Sequence, residues 1–222
     1  MTEINYVRQL LEGRCDDPKA RIMNAAIEEV ALRSIEGART REIARRADVN
    51  LAAINYYFGS KEALYLELIR EIAESIYAFH APHFARAREI FETKNAEAAK
   101  KLLLELMLSY VGDPSKDPLF SNITLIIYKE EMFPGKAFDV LYNTAFKRIS
   151  ETSVKLVEIA SQGRIAGEKA NLVSSMLFGQ VRIFYTCRAA VMRFNKWKQI
   201  GVGEMEKVCS VFTENLEKIL KR

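Results

Sequence analysis

Residues Thr40 to Glu62 read TREIARRADVNLAAINYYFGSKE. Thr40 is a suitable N-cap for a helix running through Ala47, because its hydroxyl can accept from an orphan amide of the first turn. Asp48 stands where the chain must turn, and Asp tolerates a left-handed backbone better than most residues do. Asn50 is placed to cap a second short helix. Within it Ile54 and Phe58, at i and i+4, share one face and can pack on Ile43, Ala44, Ala47 and Val49. That leaves Ala52, Asn55, Tyr56 and Tyr57 outward. Two short helices across a tight turn, the second with an outer face of small, amide and phenol groups, form the pattern of a helix-turn-helix. Bulky apolar side chains on that face would be stranded in a major groove.

Working outward, Ile22 to Leu68 resembles the TetR family of bacterial transcriptional regulators. Ile22, Ala25, Ala26 and Val30 look like that family's first-helix core, and Gly37 like its bend. Thr40-Arg41-Glu42-Ile43-Ala44 resembles the second helix, and Tyr56-Tyr57-Phe58-Gly59-Ser60-Lys61-Glu62 the junction into helix four. Asn55 replaces the family's usual Tyr, and Asp48 the commoner turn Gly. Asn55 changes what is read, since an amide can pair bidentately with adenine where a phenol cannot. The DNA-contacting candidates are Thr40, Arg41, Leu51, Ala52, Ala53, Asn55, Tyr56, Tyr57 and Lys61. Lys61, at a helix start whose amides favour an anion, is read as a phosphate clamp, against a solvated lysine. Of Tyr56 and Tyr57, at least one hydroxyl is read as a phosphate contact, against core aromatics. Arg41 is a base or phosphate contact, against a surface salt bridge, and Leu51 a groove residue, against plain core.

The chain has 222 residues, 49% of them hydrophobic, with only 10 Gly and 5 Pro. That composition suits a sizeable core and argues against a loop-rich all-β design, so the class expected is all-α, with a small three-helix helix-turn-helix domain and a larger helical one. Net charge is +4, yet residues 1–80 hold 11 basic and 13 acidic side chains, so bulk charge does not argue for nucleic acid. Locally it does: Arg39, Arg41, Arg45, Arg46 and Lys61 face only Glu42 and Asp48 between Gly37 and Lys61. Cys15, Cys187 and Cys209 are odd in number and lack CxxC spacing, which disfavours a disulfide framework or zinc site and makes a reducing cytoplasm the default. The N-terminal stretch lacks the apolar run of a signal peptide. The most apolar stretch, Asn171 to Phe194, is interrupted by Gln180, Arg182, Arg188 and Arg193, so no membrane span is expected.

Residues 1–16 carry an apolar pattern that fits either a short amphipathic arm or a frayed extension. Asp17 can cap and Pro18 start a first helix ending near Ser34. A connecting helix from Ser60 should persist to about Phe79, with Pro82 breaking or restarting it. Helices follow at Ala96 to Val111, Pro118 to Met132, Lys136 to Gln162, Glu168 to Phe194 and Gly203 to Leu220. No flexible linker appears, so the domains expected are 17–65, the DNA-binding head, and 66–222, an effector-binding and dimerisation domain. Glu168 to Phe194 is apolar nearly all round, which predicts burial against its own domain on one side and a second copy on the other. Together with the Met205-Val208-Phe212-Leu216 stripe it should form a homodimer seam. Gln180-Val181, Phe184 and Cys187-Arg188, with Glu131 to Pro134 and Ala137-Phe138, look similar to the CecR-like (YbiH) subgroup of C-terminal domains.

The TetR resemblance implies a small-molecule site in the C-terminal domain. Tyr110, Phe120, Tyr128, Met132, Tyr142, Phe146, Tyr185 and Arg188 could line an apolar cavity with a few polar handles, or be plain core. Catalysis has little to stand on. His80 and His83 flank a proline, where zinc would need further ligands; Glu130 and Glu131 are adjacent and point to different sides of a helix. No P-loop, dinucleotide glycine pattern or nucleophile elbow occurs, and no cofactor or metal is expected. The function expected is a dimeric repressor, not an enzyme, that binds inverted-repeat operator DNA and is released by an unknown effector. The rival is a DNA-bound adaptor that recruits a protein partner and senses no metabolite.

Overall fold

The structure is a computed structural model that describes residues 17–110 and 118–221. Every regular element among them is helical. In chain order these are α1 (Pro18–Gly37), α2 (Thr40–Arg46), α3 (Leu51–Phe58), α4 (Lys61–Thr93), α5 (Ala96–Leu108), α6 (Pro118–Met132), α7 (Lys136–Leu141), α8 (Lys147–Ala160), α9 (Glu168–Thr186), α10 (Arg188–Phe194) and α11 (Val202–Lys221). The all-α class holds. The expected arm over residues 1–16, with Cys15, and the helix end at Gly112-Asp113-Pro114 lie outside the described residues.

Contacts divide the chain into two compact units. The first comprises residues 17–79 and 118–147, and holds α1, α2, α3, the first half of α4, α6 and α7. Ile22, Ile27, Ile43, Ile54, Leu64, Leu68, Ile69 and Ile72 are fully buried in it. The second comprises residues 80–110 and 148–221. Its core joins Ala87 and Ile90 with Leu102, Leu103, Leu106, Met107, Leu156, Val157, Leu177, Val181, Phe212 and Leu216. A division by role at 17–65 and 66–222 cuts across these packing units, because α6 lies along α1.

Four boundaries differ from expectation. Asp17 caps α1 as predicted, its carboxylate accepting from the Lys19 amide at 3.0 Å, but α1 runs on to Gly37 across a non-helical Ser34 (φ 56, ψ 173). Pro82 does not break α4. A proline removes one amide and crowds one carbonyl, and the buried series Phe84, Ala87, Ile90 carries the helical period past it. Lys136 to Gln162 is α7 and α8 joined by a π-turn over Tyr142–Phe146. Glu168 to Phe194 is two helices, with Cys187 out of helical geometry between them (φ −116, ψ 27).

The seam prediction also needs correction. Met205, Val208, Phe212 and Leu216 are buried within their own subunit, in the core of the second unit or in a satellite cluster with Ile200 and Trp197. An amphipathic stripe says that a helix needs an apolar partner, not whether the partner belongs to the same chain. An apolar face left to solvent is found on α9, where Leu172, Met176 and Ile183 fall with Gly179 at i, i+4, i+7 and i+11.

Candidate DNA-binding interface

α2, the turn and α3 form as the sequence dictates. Asp48 takes a left-handed backbone (φ 51), and its amide still reaches the Arg45 carbonyl at 3.3 Å. Asn50 then caps α3, its side-chain oxygen accepting from the Ala52 amide at 3.0 Å. Ile54 and Phe58 are buried, with Ile43, Ala44 and Ala47 of the preceding helix and turn. Thr40, expected to be the cap of α2, is its first helical residue instead; Arg39 holds the cap position without a side-chain cap bond. The Arg39 amide is satisfied from another helix, donating to the Glu29 carboxylate at 3.3 Å. That bond ties down the amide that precedes α2, whereas a capping hydroxyl would have accepted from an amide inside its first turn.

The outer face of α3 carries most of the candidates. Leu51, Ala52, Asn55, Tyr56 and Tyr57 are exposed and Ala53 is half-buried; Tyr56 is 83% exposed. The rings of Tyr56 and Tyr57 meet edge to face at 5.1 Å. Thr40 is half-buried and Arg41 exposed at the start of α2. Gly59, in a positive-φ conformation (φ 79), ends α3, and Ser60 caps α4 by accepting from the Ala63 amide at 3.0 Å.

The positive footprint read from the sequence is sorted by its partners. Arg45 pairs with Glu42 at 2.6 Å, and Arg46 with Glu28 at 2.6 Å and Glu42 at 3.2 Å. Their guanidinium groups hold the Glu42 carboxyl well below its ordinary range, at about 2. Lys61 is not simply solvated: its ammonium donates to the Ile35 carbonyl at 2.8 Å, with the Glu36 and Ala38 carbonyls at 3.3 and 3.4 Å. To reach a phosphate it must exchange these partners. Sequence reasoning missed Glu29, fully buried on α1, whose carboxylate takes both the Arg39 amide and the Arg33 guanidinium at 3.0 Å. Its signal was a charged residue at i+4 from Ala25 inside the apolar stripe of α1.

The ligand candidates fall in different units. Phe120, Tyr128, Met132, Tyr142 and Phe146 belong to the first, where Met132 is 73% exposed and Tyr142, stacked on Phe138 at 5.9 Å, is exposed too. These two are not enclosed as a pocket lining must be. Tyr110, Tyr185 and Arg188 belong to the second. There Tyr110 stacks on His80 at 5.3 Å, meets Phe178 edge to face at 5.5 Å, and bonds through its hydroxyl to His80 Nε2 at 2.9 Å. His80 is buried, and desolvation pushes its imidazole down to about 3. His83, a turn later, is also lowered by burial. The pair is thus a neutral aromatic cluster in a continuous helix. Among the described residues no group of three or more His, Cys, Asp or Glu could hold a metal, and no helix is long and apolar enough to cross a membrane.

Residues 22–68 match the family model of bacterial regulatory proteins of the tetR family, and residues 96–221 that of the C-terminal domain of the HTH-type transcriptional dual regulator CecR. The chain is 25% identical over 186 residues to the dual regulator CecR of Shigella flexneri, covering 83% of each protein. Its fold is similar to that of AibR, solved with isovaleryl coenzyme A and operator DNA, with TM-score 0.60 and 16% identity over 89% of this chain and 96% of that one. It is similar also to FadR of Bacillus subtilis, solved with stearoyl-CoA, with TM-score 0.57 and 19% identity over 88% and 96% of the two chains. The C-terminal match alone spans more than half of the chain, and the N-terminal one falls on the helix-turn-helix built above: the chain belongs to the TetR family of transcriptional regulators, with a C-terminal domain of the CecR type.

Proposed function

We propose that the protein is a cytoplasmic, non-enzymatic homodimeric repressor whose head, 17–65, reads an inverted-repeat operator and whose remaining chain, 66–222, dimerises and takes an effector. The observation that carries this reading is the outer face of α3, where Asn55, Tyr56 and Tyr57 are exposed while Ile54 and Phe58 bury the opposite side. Asn55 and Ala52 face the base edges, with Leu51 and Ala53 beside them; Thr40, Arg41, Tyr56 and Tyr57 lie towards phosphates, and Lys61 joins them by leaving its carbonyls. An effector that prefers one spacing of the two heads lowers DNA affinity by its differential preference for that state. The structures of AibR and FadR hold acyl-CoA thioesters, which makes that class the first to test here. Tyr110, Tyr185 and Arg188 in the second unit, and Phe120, Tyr128 and Phe146 in the first, remain the ligand candidates.

Selection of fragments from a random DNA pool, followed by footprinting, tests the reading. Two-fold symmetry demands inverted half-sites about one helical turn apart, on the order of 34 Å, or a multiple of it. An asymmetric single-site footprint refutes the two-headed arrangement. Addition of acyl-CoA thioesters should release the DNA while light scattering still reports dimers; release accompanied by monomers refutes the mechanism.

A further inference from the structure

α1 is not one helix. At Ser34 the backbone leaves helical geometry (φ 56, ψ 173), three residues before the helix ends. Carbonyls in the turn before such a break face away from any continuing ladder of amides and carry the negative end of the helix dipole, so they favour a cation. Two lysines from different helices supply one on each side. Before the break the Lys129 ammonium, from α6, donates to the Ala31 carbonyl at 2.7 Å, with the Val30 carbonyl at 3.4 Å. After it Lys61, from α4, sits on the carbonyls of Ile35, Glu36 and Ala38. Beside Lys129, the Glu130 carboxylate accepts from the buried Tyr65 hydroxyl of α4 at 2.5 Å. Burial, and secondarily this carboxylate, push the Tyr65 hydroxyl upward, so it stays a neutral donor.

The direction in which α1 leaves its break fixes where α2 begins. Only Ala38, buried, and Arg39, tied by its amide to Glu29, separate the two helices, and α2 in turn packs on α3. We propose, resting on the DNA-binding reading above, that Lys129 is a positioning residue for DNA reading: it clamps the α1 break from α6 and so sets the presentation of α2 and α3 without touching DNA. Tyr65 and Glu130 hold α6 in register for that contact. Lys129 is half-buried with its ammonium spent on carbonyls, so its influence on DNA runs through geometry rather than through charge.

That distinction is measurable. A lysine on a phosphate contributes about one unit to the slope of log affinity against log salt, and a positioning lysine contributes none. The full-length protein, Lys129→Met, Lys129→Arg and Tyr65→Phe are titrated across a salt series by fluorescence anisotropy against a DNA fragment selected by the wild type and against random DNA. Lys129→Met is expected to bind the selected fragment roughly tenfold or more weakly, with random DNA little affected and the slope unchanged. Lys129→Arg, which can still donate to the carbonyls, should restore most of the affinity, and Tyr65→Phe should lose less than Lys129→Met. A slope shallower by about one unit makes Lys129 a phosphate contact and overturns the proposal. So does wild-type affinity in the folded fraction of Lys129→Met, which leaves the lysine a purely stabilising role. Hydrogen exchange over residues 35–46 is a second readout that needs no DNA: faster exchange in Lys129→Met supports the clamp, and unchanged exchange overturns it. If the wild type selects no fragment at all, it is the DNA-binding reading that has failed, and exchange alone decides the clamp.

Discussion

The two stripes on α9 and α11 should respond to truncation in opposite ways. Met176 is 67% exposed at the centre of the apolar α9 face, between Leu172 and Ile183. Fully burying a side chain of this size is worth about 1.5–3 kcal/mol, so the exposed two thirds represent about 1–2 kcal/mol per copy if α9 is the seam. A two-fold interface uses each residue twice. Met176→Ala should therefore weaken the dimer by about 2–4 kcal/mol, roughly a 30- to 700-fold rise in the dissociation constant, and leave the unfolding midpoint of the monomer where it was. Phe212→Ala is the contrast. Phe212 is 3% exposed in its own core, and its truncation should cost about 3–5 kcal/mol of folding stability. Sedimentation velocity over a dilution series, alongside urea unfolding, separates the two. An unaltered dimer constant in Met176→Ala, or a Phe212→Ala protein that dissociates while unfolding like the wild type, refutes the assignment of the seam to α9; a wild type that is monomeric at micromolar concentration refutes the assembly itself.

Asn55→Ala should cost about 1–3 kcal/mol at a single base position and relax the preference there, read by competition among single-base variants of the selected site; equal weakening on random DNA would remove Asn55 from base readout. Lys61→Ala should weaken all sequences alike and make the salt slope shallower by about one unit, and an unchanged slope would mean that the ammonium never leaves the carbonyls of α1. His80 is held neutral in the folded state, with its pKa lowered from 6.5 to about 3, chiefly by desolvation and secondarily by His83. The unfolded chain therefore binds the proton first, so the stability that a neutral His80 contributes is complete above about pH 6.5 and is lost as pH falls towards 3. Denaturant midpoints between about pH 7 and pH 4 should fall more steeply for the wild type than for His80→Phe, which keeps a ring against Tyr110 and titrates nothing; parallel profiles would exclude His80 as the cause.

What was legible in the sequence is what is local. Asp48 in its left-handed turn, Asn50 on the Ala52 amide and Asp17 on the Lys19 amide each need only residues two or three apart, and each stands as read. The helix starts that lacked a signal were those satisfied from far away. Just before α2 the Arg39 amide donates to the Glu29 carboxylate ten residues earlier, and inside α1 the Ala31 carbonyl accepts from Lys129 across 98 residues. Pro82 misled in the other direction: a strong local breaker was overridden by core positions that continue the helical period on both sides of it. At Cys187 the chain breaks a helix with neither Gly nor Pro, and the sequence carries no mark of it. Lysines are the least legible of all. Lys61, Lys129 and Lys155 share one chemistry, yet one holds the end of α1, one its interior turn, and the third lies over the Phe91 ring at 4.6 Å.

The pairing of charges bears on how a head with slightly more acid than base in its first 80 residues can still meet a polyanion. Arg46 is held by Glu28 and Glu42, with Glu29 at 4.0 Å, and Lys61 by three carbonyls, so both resist recruitment to a phosphate. Arg45 has one partner, Glu42, and lies at the surface, where an ion pair contributes little and is readily exchanged. Arg39 and Arg41 are exposed at the start of α2. The cations not already tied up are therefore fewer than the run of basic letters suggests: Arg39 and Arg41 at the start of α2, and Arg45 at its end as the most readily exchanged of the paired ones. Were Arg45 drawn from Glu42 to DNA, Arg46 would still neutralise the acid, whereas a carboxylate stripped of both cations would repel a phosphate backbone. On the DNA-binding reading proposed above, the double pairing of Glu42 would let one arginine screen the acid while the other exchanged to the duplex. A head organised this way draws little affinity from charge alone, and correspondingly more of its discrimination rests on how accurately α3 is presented.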